Sequence, residues 1–454
     1  MKSFFISAGL VAVGAAGLQS VLADDSANVS IPAPSPKIWS VSASLRGFYD
    51  SNYAVNQAVS KKGSYGIELT PSVAIDDSLQ QTDLGVRYTY GLYWYQQRQI
   101  MGINPFDQSH QLDLWVDHAF DERWHATVSD TFGDGQEPEL IGGGSLTAPG
   151  VPFRVNGDNI GNHFNFALDT QWTRELSSVV HYENDYYNYE NSGANLVETP
   201  GTGVPPGPPT FGLGTGGASL AGLLDRIDQN AGLDMQWHFN PETMVFVGYE
   251  FDWVDYTANE PIEANPDAFL RPFFSRSRDT YSHQVHAGLQ YQFAPNLTGT
   301  ASGGAQYVDS YNESGPGAEA WSPYANVSLT YTYLPGSYVQ LGFDQGNNAT
   351  YIAQAATDGS LTQYQETSTF SGSINHHFTE KLIGSALAQY SYSEFHGGES
   401  IGPEALYSAG VNLTYVINQY LSTDVGYNYD KLRSDLPGTA YERNRVYIGL
   451  TATY

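Results

Sequence analysis

The chain has 454 residues, no cysteine and a formal charge of −29, from 48 acidic and 19 basic side chains. So acidic a chain lacks the basic footprint that nucleic acid requires, and without cysteine it has neither disulfides nor thiolate metal ligands. Aromatic residues are abundant (33 Tyr, 21 Phe and 8 Trp), yet the mean hydropathy is −0.34, and past the leader no apolar run approaches the roughly eighteen residues of a helical membrane span.

Residues 1–23 have the layout of a signal peptide. Lys2 gives the positive start, Phe4 to Leu18 the apolar core, and Val21-Leu22-Ala23 the cleavage site before Asp24. Residues 24–39 are polar and Pro-containing, as expected of a flexible periplasmic tail.

From residue 40 onward, strand signals continue to the end of the chain. Eighteen segments alternate apolar and polar residues: 40–53, 63–76, 80–94, 109–120, 124–133, 162–173, 178–190, 227–239, 244–257, 280–293, 297–311, 321–333, 337–350, 364–378, 382–395, 405–417, 421–432 and 441–454. Their lengths suit strands crossing a bilayer at a tilt. Short turns recur between them as AFDERW, WTRELS, HFNPET, QFAPNL, YLPGSY, HFTEKL and VINQYL. The other connections are longer, polar and Gly-rich, the longest near 134–160 and 192–225. Short turns at one rim and long loops at the other predict an all-β fold: a single transmembrane antiparallel up-and-down β-barrel over residues 40–454. Eighteen strands are expected, or sixteen if the first hairpin is something else. A propeller would carry four short strands in each period, not two long ones.

The alternation also assigns faces. In 321–333, Ala325, Val327, Leu329, Tyr331 and Tyr333 oppose Asn326, Ser328, Thr330 and Thr332. The apolar face is the only apolar one, so lipid is its natural partner. Trp94, Trp124, Trp172, Trp237, Trp253 and Trp321 crowd the strand ends, like interfacial girdles. Asp130 and Asn184 fall on the lipid face against the pattern, implying either a bulge or strand ends above the membrane.

No P-loop, HExxH or G-x-S-x-G motif is present. His376 and His377 are adjacent and face opposite sides, so they do not share a metal. Asp134, Asp158 and Asn159 lie in Gly-rich loops without EF-hand spacing. No catalytic residue, cofactor or metal site is expected. The alternation instead points Glu68, Asp83, Asp113, Asp117, Asp169, Glu183, Asp185, Asp228, Asp234, Glu250, Asp252, Asp424 and Asp430 into the lumen, with Arg46, Arg87, Arg443 and Arg445 as the inward bases. A basic strip near the closing seam facing an acidic wall would set a transverse field and favour cations; surplus acid that merely keeps a pore hydrated is the plainer alternative.

The opening SLRGFYDSNY (44–53) and the following ELTPSVAI (68–75) resemble the start of the β-barrel porin 2 family of Gram-negative outer-membrane proteins, through Tyr49, Asp50, Asn52 and Pro71. The terminal YIGLTATY is similar to the C-terminal signal of outer-membrane proteins. Ile448, Leu450 and Tyr454 carry its apolar alternation and final aromatic. The resemblance implies residence in the cell outer membrane and insertion by the barrel-assembly machinery, and it implies no catalytic residues. The expected function is a passive porin-like channel for small hydrophilic solutes or ions, with outer-membrane lipid as its surroundings. Polysaccharide export or a cell-surface role is the alternative, and an outer-membrane hydrolase would need a converging Ser/His or Asp/His group that the sequence does not offer.

Overall fold

The structure, a computed structural model, describes residues 38–53, 61–135, 159–190, 196–199, 210–213, 218–267, 269–312, 318–436 and 439–454. The expected leader 1–23 lies outside the described residues, as do the tail up to residue 37, Asp158 and most of the loops near 134–160 and 192–225.

Eighteen antiparallel strands form one closed sheet. In chain order they are β1 Trp39–Asp50, β2 Ser64–Ser78, β3 Thr82–Tyr95, β4 Phe106–Ala119, β5 Trp124–Gly135 and β6 Asn159–Gln171. β7 Leu176–Tyr189, β8 Arg226–Asn240, β9 Thr243–Tyr256, β10 Thr280–Ala294, β11 Leu297–Asp309 and β12 Glu319–Leu334 follow. The last six are β13 Ser337–Ala349, β14 Thr362–His377, β15 Leu382–Gly397, β16 Glu404–Asn418, β17 Leu421–Arg433 and β18 Tyr441–Thr453. Each pairs with its chain neighbours, and β1 pairs with β18 from Ser42↔Thr453 to Asp50↔Arg445. Closure leaves no sheet edge, which is what a strand needs where no water can satisfy its backbone. The sixteen-strand alternative is excluded, because the first hairpin is part of the barrel.

The period-two pattern of the sequence becomes a period-two pattern of exposure. Along β1, Trp39, Val41, Leu45 and Tyr49 are exposed while Arg46, Phe48 and Asp50 turn inward. Along β18, Val446, Ile448 and Leu450 are exposed, with Arg443, Arg445 and Gly449 on the other face. Ile448 and Tyr454 are 64% and 62% exposed. Repeated round eighteen strands, this makes an apolar outer belt far too large for water and suited to lipid.

Side chains at the short-turn rim explain why its turns are tight. Asp121 Oδ1 accepts from the backbone N–H groups of Arg123 and Trp124 at 2.7 and 3.0 Å. Thr173 and Thr379 Oγ1 do the same for Glu175/Leu176 and Lys381/Leu382, and Asn240 and Asn418 Oδ1 cap Glu242 and Tyr420. Such side-chain turns stand in for a backbone turn. In YLPGSY, Gly336 takes a positive φ of 73°, which glycine adopts without strain.

Neither Asp130 nor Asn184 sits at a bulge. β5 and β7 keep unbroken register with both neighbours, so both residues stay on the outer face. There the Asn162 amide donates to Asp130 at 2.7 Å, which lessens the cost of a carboxylate on that face.

Candidate functional site

Two chemically different regions stand out on the inner wall. The first flanks the seam. Arg46 lies 3.1 Å from Asp424 and 3.5 Å from Glu68. Arg445 reaches Glu68 at 2.7 Å, and Arg443 reaches Asp50 at 2.8 Å and Asp430 at 3.7 Å. All these side chains are largely buried. Arg445 also lies over the Phe48 ring at 4.4 Å and Arg46 over Tyr447 at 5.1 Å. The sequence treats these arginines as a basic strip facing acid across water. The structure places Glu68, Asp424, Asp430 and Asp50 directly against them, so the strip is neutralised where it stands and functions as a clasp across the seam.

The second region is the inner face of β4–β10. Its strands carry Asp113, Asp117, Asp169, Glu183, Asp185, Asp228, Asp234, Glu250 and Asp252, and their only Arg or Lys is Arg226, which binds Asp228 at 2.8 Å. Asp113 Oδ1 accepts from Gln111 at 2.8 Å and Thr131 at 3.2 Å. His125 lies 2.6 Å from Asp117 and 3.7 Å from Asp169. His163 bonds Asp185 and lies 3.6 Å from Glu183. His286 Nε2 is 3.0 Å from Asp234, and its Nδ1 is 3.8 Å from Glu250, which also accepts from Gln284 at 3.2 Å. Asp252 accepts from Asn230 and, at 2.7 Å, from Ser282. Near the border of the two regions, Arg87 lies 5.8 Å over the Trp115 ring.

The histidines are the residues that sequence reasoning passed over. They sit on the inward register opposite or beside an acid of the neighbouring strand: His163 faces Asp185 directly and His125 faces Asp169. Strand register, not local motif, carries that signal. The inward aromatic rings were also passed over. A Cβ on Gly66 would meet Phe48 at 2.1 Å, on Gly85 Trp115 at 2.0 Å, on Gly288 Phe246 at 2.2 Å, and on Gly426 Tyr447 at 2.3 Å. Each ring fills the space a side chain would take at a glycine of a neighbouring strand. His376 and His377 part company as expected, His376 joining Tyr333 at 2.7 Å and His377 lying against Gly336.

At the long-loop end, connecting segments fold across the mouth. Helix α1, Gln96–Ile100, brings Arg98 over Tyr95 and Tyr53 and against Asp107. Helix α2, Leu220–Leu224, lies in the described part of the 192–225 segment. Leu224 packs with Tyr187 and Tyr189 of β7 and with Tyr351 and Ile352 beyond β13, and Phe395 of β15 and Leu436 pack on the same cluster. β7 and β15 stand eight strands apart in the eighteen-stranded ring, so this apolar cluster bridges the opening. A second cluster joins Ile262 to Ala353 and Leu361. Between them lies Arg278, fully buried. Its guanidinium donates to the carbonyls of Thr350 at 2.8 Å and Leu223 at 2.7 Å, and stacks 4.2 Å over Tyr256. Among the described residues no carboxylate forms an ion pair with it, and burial pulls its pKa down. Burial pushes the nearby Asp225 and Asp279 carboxyls each up to about 6, although backbone N–H groups of Tyr189 and Tyr256 donate to them.

A family model described as "Putative beta-barrel porin 2" matches residues 223–454. That half contains the C-terminal YIGLTATY but not the opening segment on which the sequence resemblance was noted. No curated protein matches the chain. Among solved structures, OccK3 (OpdO) of Pseudomonas aeruginosa is similar at 11% identity, with 92% of this chain and 95% of that one covered and a TM-score of 0.39. Acinetobacter baumannii OccAB4 follows at 9% identity, 93% and 100% coverage and 0.40. A mutant of the Pseudomonas aeruginosa ferric enterobactin receptor PfeA gives 9% identity, 92% and 82% coverage and 0.44.

Proposed function

The chain belongs to the beta-barrel porin 2 family and is an outer-membrane β-barrel, and from that premise we propose that it is a passive channel for small hydrophilic solutes that prefers cations. The fold and the family favour a channel over an enzyme. The cation preference rests on one observation: β4–β10 line their inner face with carboxylates whose partners are mainly histidines and neutral hydrogen-bond donors, with Arg226 the only Arg or Lys on those strands and Arg98 meeting Asp107 from the mouth. Unbalanced carboxylates along a narrow wet path raise the local concentration of cations and repel anions. The seam arginines add little opposing field, because each is held by carboxylates at 2.7–3.5 Å.

The exposed Ile448, Leu450 and Tyr454 are the part of the chain we propose the barrel-assembly machinery reads, and lipid covers them after insertion. Export of polysaccharide gains no specific support, since rings such as Phe48 and Tyr95 are buried against the wall or the mouth and present little face to a sugar. The test is reversal potential in planar bilayers under a KCl gradient. A potential of the sign set by K⁺ flux supports the reading. A reversal near zero removes the cation preference, and an absence of conductance steps removes the channel.

A further inference from the structure

We propose that His163, Glu183 and Asp185 form a binding site for a first-row divalent transition cation on the lumen wall. β6 and β7 hold the three residues in fixed register, with His163 opposite Asp185 and Glu183 two residues along the same face. One ligand atom from each lies within 4.8 Å of the other two, the spacing of donors round a shared ion. His163 Nδ1 is the atom that faces both carboxylates. The His163, Glu183 and Asp185 side chains keep 30%, 23% and 10% exposure, so the group is not sealed from the lumen.

The neighbourhood supplies a second, independent reason for a cation. Asp185 stands directly opposite Asp228 across the β7–β8 pair, and Asp252 stands opposite Asn230, which in turn faces Glu183. Like charges directly opposed on a sheet destabilise it. Arg226 answers Asp228 at 2.8 Å. For Glu183 and Asp185 together the strands supply only His163, which even when protonated matches one of the two charges. A dication bound by both carboxylates and a neutral imidazole balances the group. Imidazole beside two carboxylates selects manganese-to-zinc ions over magnesium or calcium, which take all-oxygen sets. In the His125, Asp117 and Asp169 group the two carboxylates meet different ring nitrogens, at 2.6 and 3.7 Å, and do not converge on one donor; it serves as the internal control.

The test uses the full-length barrel in detergent, with heat-modifiable gel migration confirming the fold of every variant. Isothermal titration with ZnCl₂, and Mn²⁺ electron paramagnetic resonance, read binding without requiring that the barrel conduct. One Zn²⁺ or Mn²⁺ per chain is expected, with binding weakened at least tenfold by His163→Ala and by Glu183→Gln, unchanged in His125→Ala, and resistant to a tenfold excess of Mg²⁺. Folded His163→Ala protein that binds as tightly as the parent overturns the site, as does equal competition by Mg²⁺ or the absence of any binding. Loss of binding in His125→Ala instead moves the metal to the other group and also overturns the assignment.

Discussion

Replacing Arg278 by Met separates the mouth from the barrel. The guanidinium makes two close hydrogen bonds to backbone carbonyls, at 2.7 and 2.8 Å, and a ring contact at 4.2 Å. Charge-assisted bonds of this kind contribute about 1.5–3 kcal/mol each, and a desolvated cation over an aromatic face about 2 kcal/mol. Against them stands the desolvation of a cation with no ion-paired carboxylate, several kcal/mol, which methionine relieves. The net expectation is a loss of about 2 kcal/mol in the docking of α2 and the 350–361 segment, roughly a 30-fold shift toward the undocked arrangement. None of the three contacts joins strands of the barrel to one another, so barrel stability stays as it was. In planar bilayers Arg278→Met lengthens open dwell times and raises mean conductance. Limited proteolysis cuts near residues 220–224 and 350–361 faster, while the heat-modification midpoint is unchanged. Unaltered dwell times and proteolysis would refute the reasoning; a lowered midpoint would show that Arg278 supports the wall.

Three further outcomes follow from the same geometry. Burial raises the Asp225 and Asp279 carboxyls to about 6, above the ordinary carboxylate range, so the folded mouth binds protons more tightly than the unfolded chain. Their stabilising effect is full below about pH 4 and is lost as pH rises through 6. Open probability therefore falls on acidification through that window, and Asp225→Asn with Asp279→Asn flattens the profile. Glu68→Gln leaves Arg445 buried without its 2.7 Å partner and Arg46 without one of two; breaking such a buried pair costs about 3–5 kcal/mol, read as a lower heat-modification midpoint. Gly288→Ala places a Cβ 2.2 Å from the Phe246 ring, and the overpacking costs about 1–3 kcal/mol, relieved in the double variant with Phe246→Ala.

Much of the wall was legible because a lipid-exposed strand repeats one rule at every second residue. Strand 297–311 appears as Leu297–Asp309 and strand 421–432 as Leu421–Arg433. The first short turn falls between the expected strands 63–76 and 80–94 without the aromatic-then-polar signature of the others at Ser78-Leu79-Gln80, and Leu79 closes it onto Thr82 at 2.8 Å. Inward direction was legible for the acids but not their company. Whether Arg445 meets Glu68 depends on which strands are neighbours and in what register, and those residues lie 377 apart in the chain. The same holds for His163 with Asp185 and for Phe48 over Gly66. Arg278 was invisible for another reason: nothing local marks a loop arginine as buried, and its burial depends on three connections meeting over the mouth.

The clasp across the β1–β18 seam bears on how the molecule is made. Arg46 and Asp424, Arg445 and Glu68, and Arg443 and Asp50 are separated by 378, 377 and 393 residues. Contacts of such sequence separation form late, because the loop entropy of nearly the whole chain is lost before they contribute. Until β18 arrives, β1 offers bare backbone, and the ion pairs of Arg443 with Asp50 and of Arg445 with Glu68 have not yet formed. A sheet still lacking β18 thus carries its own mark of incompleteness at one edge, and the arrival of that strand both erases the mark and locks the ring.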